Sequence, residues 1–100
     1  MNPFSGEVAL VIDGQRHVAK LTLGALAELE TALQADSLIT LIQRFEEGRF
    51  TTRDVLSVIV AGLRGGGWQG QASDLLSAEI APAEAARAAA LLLARAFALP

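Results

Sequence analysis

Apolar and polar positions change their period once along this chain, from two near the amino terminus to three or four beyond it. Glu7-Val8-Ala9-Leu10-Val11-Ile12 is apolar and rich in β-branched residues, and after Asp13-Gly14 the run Gln15 to Leu21 resumes an extended pattern. Asp-Gly between two such runs is a strong hairpin signal, because a type I′ turn needs positive φ at both central residues. A two-residue turn fixes the register. It sets Ile12 opposite Gln15, Leu10 opposite His17, Val8 opposite Ala19, and Glu7 opposite Lys20, the last pair being opposite in charge. Val8, Leu10, Ile12, Ala19 and Leu21 then share the face expected to meet the core.

From Thr22 onward the spacing is helical. Thr22 caps a first helix with Leu26, Leu29 and Leu33 on one side and Glu28 and Glu30 pointing elsewhere. Asp36-Ser37 carries cap chemistry for a second, whose stripe is Leu38, Leu41, Ile42 and Phe45 and whose end is Glu47-Gly48. Thr51 opens a third, with Asp54 as a shortened capping box. Val55, Leu56, Val58, Ile59, Val60 and Leu63 surround that helix almost completely, which predicts a central, buried rod. Gly65-Gly66-Gly67 stops it and leads into a loop expected to be mobile. Ser73-Asp74 starts a short helix holding Leu75, Leu76 and Ile80, and Pro82 opens the last helix, Ala83 to about Leu99, an Ala/Leu rod. Its charges, Glu84, Arg87 and Arg95, fall on one stripe.

The predicted class is α+β, mostly helical: an N-terminal β-hairpin over residues 7–21 packed on four to five helices over 23–99. Val55–Leu63 is central, and residues 1–100 form one domain, the usual size for a chain of 100 residues. Hydrophobic residues at 52% against 19% charged, with a mean hydropathy of +0.41, exclude a disordered chain. A net charge of −3 argues against direct nucleic-acid binding, which needs a basic footprint. No cysteine is present, so disulfides, thiolate catalysis and Cys-based zinc sites are excluded. No apolar run reaches the ~20 residues that span a bilayer, and Met1-Asn2-Pro3-Phe4 carries no leader pattern. A soluble intracellular protein is the expectation.

Candidate chemistry is sparse. His17 is the single histidine, it falls on the core-facing side of the hairpin, and no serine or carboxylate stands at triad spacing. Arg64-Gly65-Gly66-Gly67 follows a helix instead of preceding one and lacks the lysine of a phosphate loop, so it reads as a helix end. Glu46-Glu47 and Glu28/Glu30 do not converge on a helix and read as solvated. No catalytic residue, metal ligand or cofactor is expected, and the chain reads as no enzyme. Trp68 has two readings, a plug for the open end of the core or an interface anchor. The last helix carries more apolar surface than a small core can cover, which marks a protein contact through Leu91, Leu92 and Phe97 beside Trp68. Hairpin edges invite strand addition unless they are covered.

The segments Gly6 to Gly14, Leu21 to Glu30, Phe50 to Val55, Ile59 to Trp68 and Leu92 to Phe97 resemble the small tail protein of the gene transfer agents of alphaproteobacteria, phage-derived particles that move host DNA. That family has carried two labels, tail assembly chaperone and tail tube protein. The resemblance implies a non-enzymatic tail morphogenesis protein that self-associates. Its implied partners are the tape-measure protein, the tail tube protein, or both. The implied location is the cytoplasm during assembly, or the particle tail for a structural component. Tail assembly chaperones are thought to coat the apolar tape-measure protein until tube subunits replace them, whereas tube rings are built from β-sheet. A single hairpin followed by helices therefore favours the chaperone label. A small regulatory or ligand-binding domain using the hairpin edge or the Gly65–Gly70 loop is the reading from another class.

Overall fold

A computed structural model of the chain describes residues 6–33 and 37–97. The elements follow in the order β1 (Val8–Ile12), β2 (Gln15–Ala19), α1 (Leu23–Leu33), α2 (Leu38–Glu46), α3 (Thr52–Gly65), α4 (Ala72–Leu76) and α5 (Pro82–Ala96). This is the expected α+β arrangement, a two-stranded antiparallel hairpin packed on five helices.

The register is the one the turn dictates. Val8 pairs with Ala19, Leu10 with His17 and Ile12 with Gln15. Asp13 and Gly14 take φ of 52° and 77°, the two positive values a type I′ turn requires. Glu7 and Lys20, expected as a further pair, lie just beyond the ladder. Lys20 instead donates its backbone N–H to Gly62 O of α3 at 2.8 Å. Because side chains alternate along a strand, Val8, Leu10, Ile12, Ala19 and Leu21 are all buried, while Val11 is 57% exposed.

Each helix start uses local cap chemistry. Thr22 Oγ1 accepts from Ala25 N ahead of α1, and Ser37 Oγ accepts from Thr40 N ahead of α2. Asp36, the other half of the expected cap, lies outside the described residues. Thr51 and Asp54 form a reciprocal capping box at α3. Both α2 and α3 end in a Schellman motif: Arg49 N reaches Arg44 O with Gly48 at φ 69°, and Trp68 N reaches Leu63 O with Gly67 at φ 104°. Pro82 is a first-turn residue of α5, as expected. The short helix differs from the reading of the sequence, because α4 closes at Leu76 and leaves Ile80 in the connection to α5.

Helix α3 is the hub. It packs against α1, α4, α5 and β2, and Val58, Ile59, Ala61, Gly62 and Leu63 are buried along it. The glycines end α3, as expected, and two of them also pack against the hairpin. A Cβ on Gly65 would stand 1.9 Å from Lys20 O, and one on Gly66 would stand 2.1 Å from Val18 O. Side chains are absent there because the end of α3 lies directly on the backbone of β2. That contact, with the Lys20–Gly62 bond, covers the edge of the hairpin from Val18 to Lys20.

Candidate interaction surfaces

Helix α5 has two faces of different composition. Ala88, Ala89, Leu92 and Leu93 point into the core, and Ala83, Arg87, Ala90 and Ala94 are exposed on the opposite side. Phe97, capping the helix, continues that outer stripe and is 43% exposed. The spacing 83, 87, 90, 94, 97 follows the helical repeat, so these residues form one continuous strip.

This geometry separates the residues singled out from the sequence. Leu92 is fully buried and is a core residue, not a contact residue. Its Cδ1 stands 2.7 Å from where a Cβ on Gly62 would be, so α3 and α5 meet through that glycine. Leu91 lies on the flank of α5, half-buried against the core. Trp68 is also half-buried against the core, and its indole lies over Gly70, where a Cβ would stand 2.1 Å from the ring. Phe97 is exposed, Trp68 and Leu91 each retain part of their surface, and Leu92 none.

Three grooves border α5. One of about 360 Å³ runs between α2 and α5, lined by Ile42, Phe45, Glu46, Ala90, Leu93, Ala94 and Phe97. A second of about 300 Å³ lies between α3, α4 and the start of α5. Its walls, among them Val55, Leu56, Ile59, Leu75, Leu76, Ile80 and Pro82, carry no charged side chain. Leu76 at its rim is 74% exposed. A third, about 410 Å³, follows the edge of β1 opposite Glu79, Ala81, Glu84 and Arg87. The second groove has no signal in the sequence pattern. Leu76 is the last residue of α4 and faces outward, whereas Leu75 beside it is buried.

Titratable groups are largely paired off in structural contacts. Asp54 is nearly buried and accepts from Arg44 Nε and Nη2 at 2.9 and 3.0 Å, a bidentate pair between α2 and α3. Burial opposes ionisation of this carboxyl, but the Arg44 guanidinium and the Thr51 N–H outweigh it and hold its pKa below the ordinary carboxylate range. Glu28 is exposed, as expected, and also accepts from Arg64 at 2.7 Å, which ties α1 to α3. Glu84 pairs with Arg87 at 2.9 Å along α5. His17 is half-buried opposite Leu10. Among the described residues, no group of three or more His, Asp or Glu side chains is arranged to hold a metal ion, and no helix is long and apolar enough to cross a membrane.

A hairpin and helical bundle that presents apolar grooves, with two ion pairs joining its helices, suits contact with other proteins. The sequence profile of the family described as "Phage tail tube protein, GTA-gp10" matches residues 5–99. The chain belongs to this family. It is therefore a tail-related protein of the gene transfer agent type, in agreement with the resemblance in its sequence. Neither a curated protein nor a solved structure matches the chain.

Proposed function

We propose that this family member is a non-enzymatic tail assembly factor that binds the apolar tape-measure protein before tube subunits take its place. The observation that carries the reading is the secondary structure. A tube ring closed by β-sheet needs several long strands per subunit, and the described residues supply one hairpin of five-residue strands. The apolar grooves beside α5 give a chaperone somewhere to hold an apolar client reversibly; Phe97 lines one of them, and the partly exposed Leu91 and Trp68 add further contact surface. Self-association accompanies the role. The protein acts in the cytoplasm while particles assemble.

A second reading, a structural tail component, is favoured by the description of the family itself. Purified particles discriminate the two. An assembly factor is missing from mature tails and co-purifies with the tape-measure product from lysates of assembling cells. A tube component is present in mature tails at a stoichiometry that matches the rings, and that result would overturn the chaperone reading.

A further inference from the structure

The edge of β1 is closed at both ends and open in the middle. At one end Glu7 O accepts from the Arg95 guanidinium of α5. At the other, Asp13 N donates to Glu79 O at 3.0 Å, and Glu79 N returns a bond to Asp13 Oδ1 at 2.7 Å. These bonds also fix the parity of the strand: the outward-facing backbone groups belong to the odd-numbered residues. Ala9 and Val11 have that parity, and among the described residues their outward N–H and C=O groups meet no partner. Unpaired main-chain donors and acceptors in a row are what an added strand requires. They open into the groove whose far wall is the start of α5.

The geometry points to a docking groove for a short extended segment of a partner protein, held by main-chain hydrogen bonds to Ala9 and Val11. Two observations choose this occupant. The groove wall carries Arg16 and Arg87 against Glu79 and Glu84, so its charge balances and selects neither a basic nor an acidic segment. Second, the closed ends lie six residues apart, about 20 Å at the ~3.4 Å rise of an antiparallel strand. A second copy's β1 laid along this edge would bring the α5 that flanks it towards the same groove. A narrow, uncharged segment without tertiary structure fits where a folded neighbour does not. This inference rests on the assembly reading for the source of the segment, the tail proteins.

The test uses short immobilised peptides that tile the tail tube and tape-measure proteins, with scrambled versions of each. The whole chain is the analyte. Val11→Pro removes one outward N–H without touching the ladder bonds of the hairpin, because proline is tolerated where an edge N–H faces away from its partner strand. Wild type is expected to bind a subset of the tail peptides. Val11→Pro is expected to weaken that binding about tenfold, since it removes a hydrogen bond and strands an acceptor on the peptide. Val11→Thr, which keeps the N–H, is expected to bind as wild type does. N-methylation of alternate peptide amides is expected to reproduce the loss, and carries the test should Val11→Pro unfold. Binding of scrambled and native peptides alike, still lost with Val11→Pro, would keep the groove and remove the tail proteins as its source. The inference is overturned if no peptide binds wild type, or if neither Val11→Pro nor N-methylation weakens binding. It is also overturned if Val11→Pro abolishes only self-association, which would make a second copy the occupant.

Discussion

Replacing Gly65 by alanine tests the central contact of the fold, because two effects of opposite sign meet at that residue. Gly65 is the last residue of α3, and in a helix alanine is favoured over glycine by about 1 kcal/mol. Its Cβ, however, would stand 1.9 Å from Lys20 O, 3.1 Å from Lys20 C and 3.2 Å from Ala25 Cβ. The nearest of these is backbone, and the Lys20 N–H is already tied to Gly62 O at 2.8 Å, so the strand cannot turn its carbonyl aside. Overpacking of this kind costs about 1–3 kcal/mol, or more where backbone has to move. We therefore expect a net loss of about 1–2 kcal/mol. In a domain of this size that lowers Tm by about 4–8 °C for each kcal/mol. Gly24→Ala is the internal control: it lies in the first turn of α1, and its Cβ would meet only Thr22 Oγ1 at 3.9 Å. There the helix preference acts unopposed, and a gain of up to about 1 kcal/mol is expected. Equilibrium urea unfolding followed by Trp68 fluorescence and by circular dichroism measures both variants. Gly65→Ala at or above wild-type stability, with Gly24→Ala stabilised as expected, would refute the close approach of α3 to β2.

Three further outcomes follow from the contacts. Asp54→Ala breaks the bidentate pair with Arg44 and the α3 capping box together, and a loss of about 3 kcal/mol is expected in urea unfolding. The folded-state pKa of Asp54 lies below its unfolded value, so its contribution is complete above pH ~4 and is lost as the pH falls through the depressed value. Unfolding of wild type and Asp54→Asn across acid pH is expected to show their stability difference shrinking in that direction. Leu92→Ala is expected to cost about 2–5 kcal/mol by leaving a cavity between α3 and α5. Phe97→Ala, at an exposed helix end, is expected to change stability by less than about 1 kcal/mol, and paired thermal melts separate the two. Asp13→Ala removes the acceptor for Glu79 N and places alanine at φ 52°, for an expected loss of about 1–2 kcal/mol, with hydrogen exchange at Glu79 accelerated.

What the sequence made legible was local. The hairpin register follows from Asp13-Gly14 alone, since a two-residue turn leaves no freedom in the pairing. The starts of α1 and α3 follow from Thr22 and Thr51, each satisfying an orphan N–H three residues on. The burial of α3 follows from apolar residues on nearly every side. Contacts distant in the chain left no such trace. Arg44–Asp54 and Glu28–Arg64 join residues on different helices, and a lone charge in a helical pattern looks the same whether its partner is water or another helix. Gly65 and Gly66 signal the end of a helix in the sequence, and α3 ends there. Their second role, the approach to β2, depends on a strand more than forty residues earlier in the chain. The masking effect is strongest in α5. Ala88 and Ala90 are the same residue type two positions apart, one in the core and one exposed, and among neighbouring leucines nothing in the sequence marks Leu92 as the fully buried one.

The same ambiguity bears on how the surface works. Alanine is the best helix former, so exposed Ala83, Ala90 and Ala94 are accounted for by helix stability without any partner. The larger exposed side chains carry more meaning: Val11, Leu23, Ile39, Leu76 and Phe97 leave between 43% and 86% of their surface open. They belong to β1, α1, α2, α4 and the end of α5, one to each element. Each contributes at most about 1.5–3 kcal/mol when covered. A permanent interface concentrates such anchors in one dry patch, where few can let go separately. Separate anchors of this size can be released one at a time as a competitor takes their place. On the proposed assembly reading, that is the property a subunit needs if it is to hold a client and then yield it to the tube.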